Sequence, residues 1–175
     1  MKLGSKDLRD SEPTNEELAH IQRQPIYIVL DEVLDTYNIG SLFRLADAIA
    51  ATKVFLCGKM EFPPSSRIHK AAVGTENWTP WEKCDTALEV VTKLKKEGVF
   101  TIAVEQDTRS VTLSHMAHQF PVAIVLGHES FGVKKEVLDI VDQIVELPML
   151  GVNKSFNVWG SGAVVAYKLV ELLHS

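Results

Sequence analysis

Residues 120–149 read FPVAIVLGHESFGVKKEVLDIVDQIVELPM. VAIVLG and QIVELPM are apolar runs of strand length, and KKEVLDIVD between them has the spacing of a short amphipathic helix. A strand, a helix and a second strand in so short a stretch form the unit from which parallel sheets are built. The alternation continues outward in both directions. Upstream, IYIVLDEV reads as a buried strand and NIGSLFRLADAIAA as a helix beginning near Ile39, with Ile39, Leu42, Leu45, Ala46 and Ile49 on one face. KVFLCG is another strand, DTALEVVTKLKKEG an amphipathic helix closed by Gly98, and VFTIAVEQ a further strand. Downstream, the chain from Val158 onward is a long helix, apolar on almost every side. Strands this continuous in Val, Ile and Leu are covered on both faces. The expected fold class is therefore α/β, a mostly parallel sheet with helices on both faces.

At 175 residues the chain is long enough to bury one substantial core. Residues 1–24 are polar and read as an N-terminal extension, and 25–175 as the single main domain. Thr14 followed by Glu17 has the spacing of a capping box, so NEELAHIQRQ is expected to form a short helix stopped before Pro25. With 46% hydrophobic and 23% charged residues, no apolar run of membrane-spanning length and no apolar leader core, the expectation is a cytoplasmic protein without membrane association. A net charge of −5 argues against indiscriminate coating of nucleic acid and leaves local basic patches open. Lys53, Lys59, Arg67, His69 and Lys70 form one such patch. Cys57 and Cys84 have no CxxC spacing and read as reduced small hydrophobes.

In parallel sheets, ligands bind in the loops at the carboxyl ends of the strands. Here those loops are DEVLDTYN, EQDTRS, GHESFG and PMLGVNKSFN, where the unusual polar residues gather. Several familiar sites fail on spacing. GHESFG has His128 where a nucleophile elbow needs glycine. HMAH sets His115 and His118 three apart without the rest of a zinc helix, so no metal is expected. Gly160 and Gly162 lack the third glycine of a dinucleotide fingerprint and are better explained by close helix packing. Arg44, surrounded by Leu42, Phe43, Leu45 and Ala46, needs an anionic partner. That partner is either a structural carboxylate such as Glu129 or a bound phosphate or ribose. Ser155 and Asn157 are placed to cap the last helix.

Taken together, NIGSLFR, LGHESFGV and LPMLGVNKSFNV, in that order, resemble the three motifs of the SpoU/TrmH family of RNA ribose methyltransferases, within the SPOUT superfamily. AAVGTENWTPW is similar to the family's segment between the second and third strands, and the resemblance spans roughly residues 26–173. It implies a C-terminal deep trefoil knot, S-adenosylmethionine bound bent within it, a homodimer to which the last helix contributes, and methylation of an RNA ribose 2′-OH. The RNA is expected to be tRNA, with rRNA possible. By the same resemblance the catalytic set is Asn38, Arg44, Glu129, Ser155 and Asn157. Val104, Gly127, Leu147, Met149 and Ser155 would hold the cofactor, and Lys59, Arg67, Lys70 and Lys154 the RNA. Arg44 would grip a phosphate and stabilise alkoxide charge, or act as a base with that phosphate's help. A guanidinium, with a pKa above about 12, favours the first. Trp159 departs from the pattern, which has a small polar residue there. The competing expectation is a non-catalytic RNA-binding or assembly factor with the same fold.

Overall fold

The computed structural model describes residues 12–175, so the first eleven residues of the expected N-terminal extension lie outside the described residues. Helix α1 (Asn15–Ala19) begins with the expected capping box. Thr14 Oγ1 accepts the Glu17 N–H at 3.2 Å while the Glu17 carboxylate accepts the Thr14 N–H at 2.9 Å. It ends at His20, short of the anticipated Pro25.

The order then runs β1 (Gln24–Asp31), α2 (Thr36–Ala48), β2 (Ala51–Cys57), α3 (Ser66–Ala72), β3 (Trp81–Cys84), α4 (Ala87–Lys96) and β4 (Phe100–Val104). It continues with β5 (Val111–Thr112), β6 (Val122–Gly127), α5 (Lys135–Leu138), β7 (Gln143–Glu146) and α6 (Val158–Leu173). The seven strands lie in the order β3-β2-β1-β6-β4-β7-β5, every pairing parallel. Helix α3 and strands β3 and β5 are elements that apolar periodicity did not reveal. Helix α3 buries only Ile68 and Ala72, and the edge strand β3 buries none of its residues. The helix read from KKEVLDIVD closes after one turn, at Leu138.

Alternation along the strands divides the core. Ile26, Ile28 and Leu30 of β1 point to one face, where they meet α2 and α6 through Leu42, Phe43, Val165 and Leu169. Val29 of β1 and Val125 of β6 point to the other, against Val90, Val91 and Leu94 of α4. Each such fully buried side chain stabilises the fold by about 1.5–3 kcal/mol relative to exposure. Cys57 and Cys84 face each other in register on β2 and β3, both free, and burial pushes the Cys57 thiol up.

Helix α2 starts earlier than expected, at Thr36. Its N-cap is Asp35, whose carboxylate accepts the Tyr37 N–H at 2.8 Å. Asn38 is thereby drawn into the first turn, buried at 2% exposure. Strand β7 sits between β4 and β5, which follow each other in sequence. The chain leaving β7 must therefore pass the β4–β5 connection. No helix among the described residues is long and apolar enough to cross a membrane.

Candidate active site

The carboxyl ends of β1, β4, β6 and β7 open on one cavity of about 550 Å³. Its wall is built by Asp35 and Asn38 at the start of α2, residues 104–106 after β4 and residues 126–132 around the end of β6. Glu146, Leu147 and Met149 after β7 and residues 154–158 with Ser161 complete it. The three sequence motifs thus meet in one place, although more than 110 residues separate Asn38 from Asn157.

Glu129 is the joint between the first two motifs. Its carboxylate accepts the Leu34 N–H at 3.0 Å, the Asp35 N–H at 2.9 Å and the Asn38 Nδ2–H at 2.9 Å. Partial burial alone would raise its pKa, but the hydrogen bonds from Asn38, Leu34 and Asp35 outweigh burial and hold the carboxyl below its usual range. A carboxylate demands a donor, so the Asn38 amide turns its nitrogen toward Glu129 and its oxygen away. That Oδ1 is buried and has no partner among the described residues. An unpaired buried acceptor costs about 1–3 kcal/mol, and here it belongs to a residue lining a ligand-sized cavity.

The turn after β6 is pinned at both ends. His128 and Gly132 exchange backbone hydrogen bonds of 3.1 and 2.8 Å, and Glu105 Oε2 accepts the Val133 N–H at 3.0 Å. Asp31, buried at the end of β1, accepts the Lys134 N–H at 3.0 Å, and burial raises its carboxyl pKa. Gly127 is among the residues that the family resemblance assigns to the cofactor. It does line the cavity, but the close approach it permits lies within the chain. A Cβ there would stand 2.2 Å from the Gly132 carbonyl carbon and the Val133 nitrogen. The glycine exists so that the turn can fold back over the strand.

Asn157 is the N-cap of α6, its Oδ1 accepting the Trp159 N–H at 3.0 Å, while Ser155 stands exposed on the cavity wall. Gly162 allows α6 to close on the sheet, since a Cβ would reach Leu126 Cδ1 at 2.7 Å. A Cβ at Gly160 would meet the Phe156 ring, also at 2.7 Å. Trp159 is half-buried against the main core and takes the place of a small polar residue without reaching the cavity wall. Gln106 Nε2 donates to the Lys154 carbonyl at 2.7 Å, tying the β4–β5 connection to the loop after β7.

Of the residues singled out from the sequence, Asn38, Glu129, Ser155, Asn157, Val104, Gly127, Leu147, Met149 and Lys154 all line the cavity. Arg44 does not. It is exposed on α2 and, among the described residues, makes no hydrogen bond or ion pair, so of the two kinds of partner considered for it the structural carboxylate is absent. Lys59, Arg67 and Lys70 also lie off the cavity. Arg67 and Lys70 are on α3, and the surrounding patch is partly neutralised by Lys53–Glu82 at 3.1 Å and Arg67–Glu61 at 3.7 Å, while the His69 ring contacts the Glu76 carboxylate at 2.6 Å. His115 and His118 are exposed, and no group of three potential metal ligands occurs among the described residues. Asp35, Glu105 and Gln106 are wall residues that the sequence reading missed. DxxN before a helix was a readable cap signal for Asp35, whereas only the fold brings Glu105 to the turn.

Asp35, Glu105, Glu129 and Glu146 surround a floor that includes Val104, Leu126, Leu147 and Met149. Carboxylates beside apolar side chains on one wall suit a ligand of mixed polarity, and their negative charge favours a positive centre on it.

The model of the family described as the SpoU rRNA Methylase family matches residues 25–167. The tRNA (guanosine(18)-2′-O)-methyltransferase of Escherichia coli K12 is 27% identical over 151 residues, covering 84% of this chain and 64% of the relative. The chain thus spans about six-tenths of the length of the curated relatives it matches. Among solved structures, the A. aeolicus TrmH/SpoU tRNA modifying enzyme superposes with a TM-score of 0.80 at 21% identity, over 97% of this chain and 82% of that one. An AdoMet-bound rRNA methyltransferase from Sinorhizobium meliloti gives 0.79 at 25% identity, over 96% and 61%.

Proposed function

The chain belongs to the SpoU rRNA methylase family, and on that footing we propose that it transfers a methyl group from S-adenosylmethionine to a ribose 2′-OH of RNA, with tRNA the first candidate and rRNA the second. The observation that carries this reading is the convergence of Asn38, Glu129, Ser155 and Asn157 on one cavity. S-adenosylmethionine supplies an electrophilic methyl group on a cationic sulfur. The carboxylates around the cavity favour that charge, and the backbone near Val104, Gly127, Leu147 and Met149 would hold the adenosine.

The chain's own part is alignment and charge. Holding the hydroxyl in line with the methyl group supplies on the order of 7–11 kcal/mol for well-oriented reactants. Asn38, held in place by its bond to Glu129, fixes the wall against which the ribose would lie. Ser155 and Asn157 close the other side of the cavity.

The hydroxyl proton would leave to an oxygen of the neighbouring phosphate, which Arg44 grips while stabilising the developing alkoxide; it does so from outside its own cavity, which requires a second subunit. We propose a homodimer in which Arg44 of the partner subunit completes each site. The outward faces of α2, with Tyr37 and Arg44, and of α6, with Val164 and Tyr167, support this. They are exposed, carry large apolar groups and belong to helices packed side by side. Lys59, Arg67, Lys70 and Lys154 would meet the RNA. Residues 25–175 form the methyltransferase domain in this reading, with 1–24 an extension, and an RNA substrate implies a cytoplasmic place of action. We also propose the C-terminal trefoil knot. It is supported by the insertion of β7 between β4 and β5 and by the Gln106–Lys154 tie across the passing segments.

Calorimetry with S-adenosylmethionine, followed by mass mapping of 2′-O-methylated nucleotides in treated RNA, tests the proposal. Micromolar binding and a single mapped nucleotide are expected. Absence of cofactor binding at millimolar concentration would overturn it, and cofactor binding without methylation of tRNA or rRNA would leave the non-catalytic alternative.

A further inference from the structure

Phe131 is 85% exposed, the most open aromatic ring among the described residues. Water-facing phenyl groups are unremarkable on loose loops, but this turn is fixed by the His128–Gly132 backbone pair and by Glu105. The ring has a partner behind it. The His128 imidazole lies 4.7 Å away at 46°, and its Nδ1 accepts the Ser130 N–H at 2.9 Å, which sets the ring's orientation. Phe131 also stands on a shared rim. On one side is the 550 Å³ cavity and on the other a smaller one of about 350 Å³, bordered by Asp31, Glu32 and Lys134.

On the reading that an RNA ribose enters the larger cavity to meet Asn38, the attached base is one glycosidic bond further out, at the mouth. We propose that Phe131, backed by His128, is the stacking platform for the base of the nucleotide being methylated. Every base has a π-face, so a phenyl ring grips any of the four. Choice among them would fall to other groups. Adenine of the cofactor is a poorer occupant, because Val104, Gly127, Leu147 and Met149 hold the interior while this ring faces solvent.

The test uses the full chain, S-adenosylmethionine and an unmodified tRNA transcript that the protein methylates. Phe131→Ala is expected to raise KM for the transcript roughly 5- to 150-fold, the range for losing one base–aromatic stack, with cofactor affinity by calorimetry unchanged. Phe131→Tyr should stay near the unsubstituted protein. In Phe131→Trp with S-adenosylhomocysteine, transcript should quench the new indole, after subtraction of the three native tryptophans. A transcript abasic at the methylated position should not. KM within twofold in Phe131→Ala, or equal quenching by the abasic transcript, overturns the proposal. So does parallel loss of cofactor affinity, or dissociation of a dimer by Phe131→Ala in sedimentation. If no RNA is methylated, the function proposed above fails on its own terms. Quenching by total bacterial tRNA then judges the platform, and its absence overturns it.

Discussion

Asn38 donates its side-chain N–H to Glu129 at 2.9 Å across 91 residues of sequence, and this bond joins the first motif to the second. An aspartate at position 38 would set carboxylate against carboxylate. Asn38→Asp is therefore expected to lose more stability at neutral pH than Asn38→Ala, with the gap closing in acid as the pair is protonated. Urea denaturation of both variants at two pH values measures this, and equal losses at neutral pH would deny that the contact is a true hydrogen bond to a charged group.

Glu129 and Asp31 should give pH slopes of opposite sign. The Glu129 carboxyl titrates below its ordinary value, so its stabilising effect is complete above an unfolded pKa of about 4.3 and is lost as pH falls through the lower folded value. The Asp31 carboxyl titrates above its ordinary value. Its protonated form favours folding, and that contribution is lost as pH rises through the raised value. Relative to the unsubstituted protein, Glu129→Gln should become less stable between pH about 3 and 7, and Asp31→Asn more stable. Slopes of the same sign in denaturant titrations would refute the assignment.

Asn157 combines a structural and a chemical role that substitution can separate. Asn157→Ala removes the cap of α6 at a cost of about 1 kcal/mol. Asn157→Asp keeps an acceptor for the Trp159 N–H, so thermal melts should show stability restored while methyl transfer stays impaired. Full activity in Asn157→Asp would reduce the residue to a cap.

Two glycines invite the same substitution with different results. Gly127→Ala forces a methyl group onto backbone, and a loss on the order of 3 kcal/mol is expected. Gly162→Ala meets side-chain ends rather than backbone, Leu126 Cδ1 at 2.7 Å and Leu42 Cδ2 at 3.4 Å, and the roughly 1 kcal/mol that alanine gains over glycine in a helix offsets part of the crowding. Chemical denaturation should place Gly162→Ala close to the parent and Gly127→Ala far below it.

Arg44→Ala should keep cofactor affinity and lose about 10²- to 10³-fold in methyl transfer, the usual effect of removing one charge-stabilising donor. Mixing it with Asn38→Ala tests the shared site. Random reassortment gives half heterodimers, each with one intact site, so roughly a quarter of the original activity should return. No recovery on mixing would place Arg44 in its own subunit's chemistry.

The long buried strands and α6 were legible because continuous Val, Ile and Leu leave few alternatives to a two-sided sheet. Helix α3 and the edge strand β3 were not, because they bury too little to imprint a period on their sequence. Asn38, Glu129, Ser155 and Asn157 were legible as wall residues through the family resemblance, whereas Asp35, Glu105 and Gln106 and the positions along a helix were not. With Asp35 as the cap, Asn38 and Arg44 are both helical and six residues apart. At 3.6 residues per turn they face different directions. Gly127 shows the opposite limit: its presence was readable, but the neighbour it makes room for was not.

The placement of β7 also has a bearing on synthesis. Strand β7 is flanked by strands made earlier, and the cavity floor and cap (Leu147, Met149, Ser155 and Asn157) all follow its start. A chain ending before Gln143 lacks both the strand that pairs with β4 and the residues that complete the cavity wall. The cavity wall is therefore completed in one late step of chain order, when the segment that follows β7 is in place.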